Sequence, residues 1–200
     1  MEITCIKQIG KSENYRIYLN DSFVCCLTME TIVKNKLACG LNIDKQKLET
    51  LQFESEKIVA FEKACNYLAK GLKTEQEIKK YLKSKGYLNE TTEYVCQKLK
   101  SYKYLNDKAY AQEYVNSYSK QKGKKALEFA LLQRGVAKNI IDEVLVDFDG
   151  QDSAKLMAEK YLKGKEKNIK TKQSLYRYLL GKGFEYDEVT SVTNKLFKGD

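Results

Sequence analysis

Three stretches of this 200-residue chain can be laid over one another on a shared glycine, and that repetition limits what the chain can fold into. The segments are EIKKYLKSKGYLNETTEYVCQKL around Gly86, ALEFALLQRGVAKNIIDEVLVDF around Gly135 and SLYRYLLGKGFEYDEVTSVTNKL around Gly183; the glycines stand 49 and 48 residues apart. Eight residues ahead of them are Ile78, Leu127 and Leu175, and four ahead are Leu82, Leu131 and Leu179. One residue beyond are Tyr87, Val136 and Phe184. Nine beyond are Val95, Val144 and Val192, and thirteen beyond are Leu99, Phe148 and Leu196.

Each repeat has a physical explanation. Apolar residues four apart line one face of a helix. The glycine fits the position just past a helix end, where a left-handed backbone penalises any Cβ. The residue after it can pack back on the helix it has left, and a second helix then runs to Leu99, Phe148 or Leu196. A further amphipathic helix precedes each pair, at residues 64–69, 110–118 and 154–162. Thr74 and Glu77 have the spacing of a capping box, and Asn106-Asp107 suits the start of the helix through Tyr110. The pattern predicts a mainly α protein of three tandem three-helix repeats stacked as an elongated curved solenoid. The expected repeats span residues 46–106, 107–150 and 151–200, after an extension over 1–45.

That extension reads differently. Ile3, Cys5 and Ile9, then Tyr15, Ile17 and Leu19, then Phe23, Cys25 and Leu27 alternate with polar residues, the pattern of a short antiparallel meander. A helix is expected over 29–37 with Gly40 as its stop. Asp44 is placed to cap another that runs toward Lys70.

The chain has no histidine, proline or tryptophan. Without proline, long helices are uninterrupted. Without histidine, the side chain most used for acid–base chemistry near neutral pH is missing. No phosphate loop or dinucleotide fingerprint is present. The acidic pairs Asp147 with Asp149 and Asp187 with Glu188 read as helix-end residues rather than metal ligands. No catalysis, cofactor or metal is expected. The six cysteines form no CxxC pair and read as reduced, mostly small core residues of a cytoplasmic protein. The opening MEITCIKQIG lacks the apolar core of a signal peptide, and no run is long enough to span a bilayer.

The net charge of +9 is uneven. Residues 1–55 carry 7 basic and 7 acidic side chains and residues 106–150 also carry 7 and 7, against 11 and 6 in 56–105 and 11 and 7 in 151–200. Such an excess points either to a polyanionic partner or to a solvated lysine-rich surface. Position favours the partner. Lys70 and Lys73, then Lys120, Lys122, Lys124 and Lys125, then Lys163, Lys165, Lys167, Lys170 and Lys172 fall in the equivalent inter-helix segment of each repeat. In a solenoid such segments share an edge, where they would form a basic stripe able to follow phosphates. Among fifteen tyrosines, Tyr110, Tyr114 and Tyr118 have the spacing of a core-facing stripe rather than of base-stacking residues.

Tyr104-Leu105-Asn106-Asp107, followed by Tyr110-Ala111 and Tyr114-Val115, resembles the signature of the RecX regulatory proteins. So does Gly123-Lys124-Lys125-Ala126-Leu127 with Leu131 and Arg134-Gly135-Val136, which adds Arg134 to the candidate contacts. Ala64-Cys65-Asn66-Tyr67-Leu68 and the segment from Leu82 to Tyr87 fit the same family. The likeness spans residues 58–148 and, more faintly, 150–198. One departure is Ala69-Lys70-Gly71-Leu72-Lys73-Thr74, where the family carries several arginines; lysine keeps the charge but loses the bidentate fork. The resemblance implies a non-enzymatic monomer that binds the RecA recombinase filament and DNA without sequence specificity, and restrains RecA. A DNA-binding repeat protein without a RecA partner and a protein–protein scaffold are the alternatives.

Overall fold

A computed structural model describes residues 1–197, in which three strands are followed by ten helices. The last three residues of the expected third repeat, 198–200, lie outside the described residues.

Strands β1 (Ile3–Gln8), β2 (Asn14–Leu19) and β3 (Ser22–Thr28) form an antiparallel meander in the order β1-β2-β3. Its inner face buries Ile3, Ile17, Leu19, Cys25 and Leu27. Simple alternation would put Cys5 and Phe23 on that face too, and both point outward. A register shift between Ile3 and Cys5 turns Cys5 to solvent and packs Ile6 against the core. A second, between Ile17 and Tyr18, leaves Phe23 56% exposed, edge-on to Tyr18. The cysteines are mostly not core residues. Cys25 and Cys96 are buried and Cys65 half-buried, while Cys5, Cys26 and Cys39 are exposed. Burial, with Cys26 beside it, pushes the Cys25 thiol up to about 11.

Helix α1 (Met29–Lys34) is shorter than expected. Lys36, not Gly40, takes the left-handed position that ends it, at φ +50°. The Lys36 N–H donates to the Val33 carbonyl and the Leu37 N–H to that of Ile32, a Schellman closure that draws Leu37 into the core. Helix α2 (Lys45–Leu68) starts where Asp44 accepts from the Lys47 N–H at 3.0 Å. At 24 residues it serves two cores: Leu48 and Leu51 pack under the sheet, and Ala60 and Ala64 belong to the first repeat. Ser55, between them, donates to the Thr31 hydroxyl at 2.8 Å and accepts from the Thr28 N–H at 3.1 Å, tying the sheet to the helix.

The remaining helices are α3 (Glu75–Ser84) and α4 (Asn89–Ser101), then α5 (Asp107–Tyr118), α6 (Lys124–Gln133) and α7 (Lys138–Val144), then α8 (Gln151–Leu162), α9 (Ile169–Gly181) and α10 (Tyr186–Phe197). Each repeat has its own apolar cluster. Ile78, Leu127, Leu175, Leu82, Leu131 and Leu179, the residues eight and four before the glycines, are all fully buried. Gly86, Gly135 and Gly183 have φ of +86°, +78° and +83°. In every case the glycine N–H donates three residues back and the next N–H donates to the carbonyl of Leu82, Leu131 or Leu179. The three second helices therefore end in one and the same Schellman motif.

The chain divides into two compact units, residues 1–72 with 78–105, and residues 73–77 with 106 onward. The short segment 73–77 groups with the second unit for identifiable reasons. The Thr74 hydroxyl donates to the Arg134 carbonyl at 2.7 Å, and the Glu75 N–H donates to the Asp107 carboxylate at 2.9 Å. Thr74 and Glu77 complete the capping box reciprocally at 3.0 and 3.1 Å. Asn106 caps α5 by accepting from the Ala109 N–H at 3.0 Å.

Although the three glycines share a conformation, they differ in surroundings. A Cβ on Gly135 would lie 2.4 Å from Gln76 Cβ and one on Gly183 2.4 Å from the Ala126 nitrogen, whereas one on Gly86 would meet nothing within 4 Å. Gly86→Ala should therefore cost only the left-handed backbone penalty of about 1–2 kcal/mol. Gly135→Ala and Gly183→Ala should cost more, by about 1–3 kcal/mol of overpacking. Chemical denaturation of the three variants measures this; equal destabilisation at all three sites would refute the contact argument.

Candidate nucleic-acid interface

Several of the basic residues expected between helices lie in helices or are tied to neighbouring side chains. The turn after α5 carries Lys120 and Lys122, and Gly123 then caps α6, so that Lys124 and Lys125 lie in the helix rather than in a loop. Gly123 is buried. Its N–H donates to the Lys182 carbonyl at 3.0 Å, and a Cβ there would sit 2.3 Å from the Phe184 nitrogen. Lys125 is committed to structure: its N–H donates to the Gly183 carbonyl at 3.1 Å and its ammonium pairs with Glu185 at 3.0 Å. Lys124 is half-buried in the first turn of α6.

Lys122 donates to the Tyr114 hydroxyl at 2.8 Å and lies 4.9 Å from the centre of the Tyr118 ring. The Arg134 guanidinium stands 4.8 Å over the Tyr114 ring and donates to the Ala130 carbonyl at 3.3 Å. Tyr110, Tyr114 and Tyr118 stack in a column, with centroids 6.4 and 4.5 Å apart. The column is not wholly core: Tyr110 is half-buried, Tyr114 buried, and Tyr118 exposed. Burial, reinforced by Glu77 and partly opposed by Arg134, raises the Tyr110 pKa above the ordinary phenol value.

The same association of tyrosine with cation recurs in the other repeats. Ala64, Ala111 and Ala158 are fully buried, and three residues on stand Tyr67, Tyr114 and Tyr161, with spacings of 47 and 47. Tyr67 stacks on Tyr81 at 4.3 Å, with the Lys85 ammonium 5.6 Å from the Tyr81 ring. Tyr161 stacks on Tyr178 at 4.7 Å, with Lys165 3.3 Å over Tyr161 and Lys182 5.6 Å from Tyr178. Lys85, Arg134 and Lys182 each immediately precede a repeat glycine. A basic residue before all three glycines, with an Ala-x-x-Tyr at constant spacing, is the sequence signal for these clusters.

Within the second unit, repeats two and three frame a cleft of about 770 Å³. Lys120, Lys122, Lys160 and Lys182 line it together with Tyr161, Tyr178, Leu156 and Met157; no carboxylate among the described residues does. Lys160 and Lys182 are contributions that the inter-helix segments alone do not reveal. Lys163, Lys165 and Lys167 lie exposed in the turn after α8. Lys170 and Lys172 are in the first turn of α9, capped by Asn168, and not in the loop; Lys172 donates to the Asn194 side chain at 3.0 Å. Lys70 follows α2 in the first unit, and Lys73 directly precedes Thr74 in the second.

Of the residues in the acidic pairs, Asp147 lies in the turn after α7, and the other three lie at helix starts. Asp149 accepts from the Gln151 N–H at 2.9 Å, and Asp187 lies in the first turn of α10. Glu188 accepts from the N–H groups of Gly150 and Glu185 at 2.9 and 2.7 Å. Among the described residues no group of three or more His, Cys, Asp or Glu side chains could hold a metal ion, and no helix is long and apolar enough to cross a membrane.

Three family models match in tandem: the first three-helix domain of RecX at residues 60–99, the second at 106–145 and the third at 148–193. The chain belongs to the RecX family. The regulatory protein RecX of Clostridium tetani is 33% identical over 96% of this chain and 93% of its own length. That of Clostridium botulinum is 30% identical over 94% and 92%. Among solved structures, one of a regulatory protein RecX superposes with a TM-score of 0.72 at 23% identity, covering 96% of this chain and 98% of that one. RecX from Lactobacillus salivarius gives 0.66 at 25% identity, over 70% of this chain and 96% of that one. The family is one of regulatory proteins.

Two variants separate structure from surface in this region. Gly123→Ala forces a Cβ into the backbone of Phe184 and should destabilise by about 2 kcal/mol or more. Replacing Lys120, Lys160 and Lys182 together with Glu should leave thermal stability within about 1 kcal/mol of wild type, since exposed charges away from core contacts contribute little to folding. A triple variant that melts as early as Gly123→Ala would show these lysines to be structural.

Proposed function

We propose that this chain binds the RecA recombinase assembled on DNA and restrains it, by contact and without chemistry of its own. The RecA partner comes from the family to which the chain belongs. The observation that carries the DNA contact is the cleft between repeats two and three, where four lysines converge with no carboxylate from the described residues among them. Salt-dependent attraction to phosphates is the behaviour such a surface supports.

Helix α6 supplies a surface suited to a protein partner. Phe129 is 62% exposed, and Leu132, also exposed, lies one turn away on the same face. Repeat one carries Lys80 and Lys83 at the equivalent positions, and repeat three Arg177 and Leu180. An apolar pair in an otherwise charged setting fits contact with protein better than contact with phosphate. It favours a RecA-bound function over DNA binding alone.

The direct test is hydrolysis of ATP by RecA on single-stranded DNA as this protein is titrated in. Inhibition that saturates is expected; no effect at any concentration would overturn the reading. The Lys120, Lys160, Lys182 triple Glu variant should bind DNA more weakly. Its slope of log affinity against log salt should flatten by roughly 0.7–0.9 for each phosphate that a lysine no longer neutralises. Reversing the exposed Lys7, Lys11 and Lys47 in the electrically neutral N-terminal part is the control. If both variants weaken binding equally, net charge and not the cleft governs it.

Phe129→Asp should keep its fold and its DNA affinity and fail to inhibit RecA. Inhibition that falls only in step with DNA binding would instead support the rival reading of a DNA-binding protein that displaces RecA without touching it.

A further inference from the structure

The cleft is lined by apolar and aromatic side chains as well as by lysines, and that lining bears on the kind of nucleic acid it takes. Leu156 is 59% exposed and lines the cleft with Met157, beside the stacked pair Tyr161 and Tyr178. An apolar and aromatic lining beside lysine ammonium groups is of no use to a duplex, whose bases are paired and stacked inside and which offers phosphates to a surface of this kind. A single strand offers both parts: phosphates for the lysines, and unpaired bases whose faces can cover Leu156 and the tyrosines.

We propose that the cleft between repeats two and three is a binding site for single-stranded DNA that takes unpaired bases against Leu156, Tyr161 and Tyr178 and their phosphates against Lys120, Lys160 and Lys182. This deepens the reading above and rests on it. Three further features fit. First, the walls are fixed before any ligand arrives: the Gly123 N–H on the Lys182 carbonyl and the Lys125 N–H on the Gly183 carbonyl join the two repeats. A site held by backbone gives up little freedom on binding. Second, Lys120, Lys160 and Lys182 have no carboxylate of the described residues within ion-pair distance, whereas the nearby Lys125 has Glu185. Their charges are available. Third, Lys182 combines the two halves of the site, with its carbonyl locked by Gly123 and its ammonium 5.6 Å from the Tyr178 ring.

Two measurements on the full chain test this. In the first, wild-type protein is titrated into a labelled dT12 strand, a 12-unit abasic strand of equal charge, and a 12-base-pair duplex. Binding to dT12 should exceed binding to the abasic strand by about 10-fold or more, the range expected for stacking of a single base. Leu156→Asp should remove most of that preference, and Leu41→Asp, on an exposed leucine of the N-terminal part, should not. The second uses fluorescence. Because the chain lacks tryptophan, Tyr178→Trp provides a lone reporter in the cleft, whose emission dT12 should quench and the abasic strand should not. Equal affinity for dT12 and the abasic strand overturns this inference while leaving a phosphate contact in place. Equal affinity for an aspartate homopolymer also overturns it, in favour of an acidic protein segment. Failure to inhibit RecA, with the preference for bases intact, would instead overturn the reading on which it rests.

Discussion

One hydrogen bond, made twice, organises the second unit. A residue twelve positions ahead of one repeat's glycine donates to the carbonyl just before the next repeat's glycine. Between repeats one and two the donor is the Thr74 hydroxyl and the acceptor Arg134; between repeats two and three the donor is the Gly123 N–H and the acceptor Lys182. The bond depends on the Schellman motif. The left-handed glycine turns the chain so that the preceding carbonyl faces away from its own helix, toward the N-terminus of the neighbouring one, where amide donors are unsatisfied. Glycine is thus required twice at Gly135 and Gly183, for conformation and for close approach, and only once at Gly86.

This junction also positions the charges. The residue before the glycine is basic in all three repeats and reaches a tyrosine ring in each; at Arg134 and Lys182 the junction also holds its carbonyl, the root of the cation. In the second repeat the arrangement is the most enclosed, with Arg134 and Lys122 flanking Tyr114. In the third it opens into the cleft. Stability and the binding proposed above are separable here, because backbone atoms make the junction and side-chain termini line the cleft. Lys125 is the exception that shows the rule: its amide and its ammonium are both used in the junction.

Much of this architecture is legible in the sequence because it rests on local chemistry with strict positional demands. A left-handed position selects glycine, a helix start selects Thr74 with Glu77 or Asn106, and a buried face selects Leu127 and Leu131. What is not legible depends on geometry without a residue signature. A β-bulge at Ile3 and Cys5 leaves the alternation of letters intact while reversing which of them face inward. Lys36 occupies a left-handed position for which the letters suggest Gly40. The candidate site is legible only in part. Lys120 and Lys122 follow from their place between helices, but Lys160 lies inside α8 and reaches the cleft only through tertiary packing. Gly123 is a buried contact, and nothing in its local sequence announces that Phe184 lies against it.

The lysine-for-arginine departure acquires a physical meaning in this setting. Of 36 basic residues only Arg16, Arg134 and Arg177 are arginines. Arg134 stands where a planar cation is useful, over the buried Tyr114 ring and bonded to the Ala130 carbonyl, and it serves the core of its repeat. The cations around the cleft are all lysines, and two of them, Lys122 and Lys182, rest near tyrosine rings. A cation–π contact at an exposed site is worth about 0.5–1 kcal/mol, less than the charge-assisted hydrogen bond, roughly 1.5–3 kcal/mol, that the same ammonium can make to a phosphate. Such lysines are held in place when the site is empty and released at small cost when an anion arrives. For the proposed contact with phosphates, a flexible point charge on a ring suits engagement without fixed register, and a bidentate fork would not.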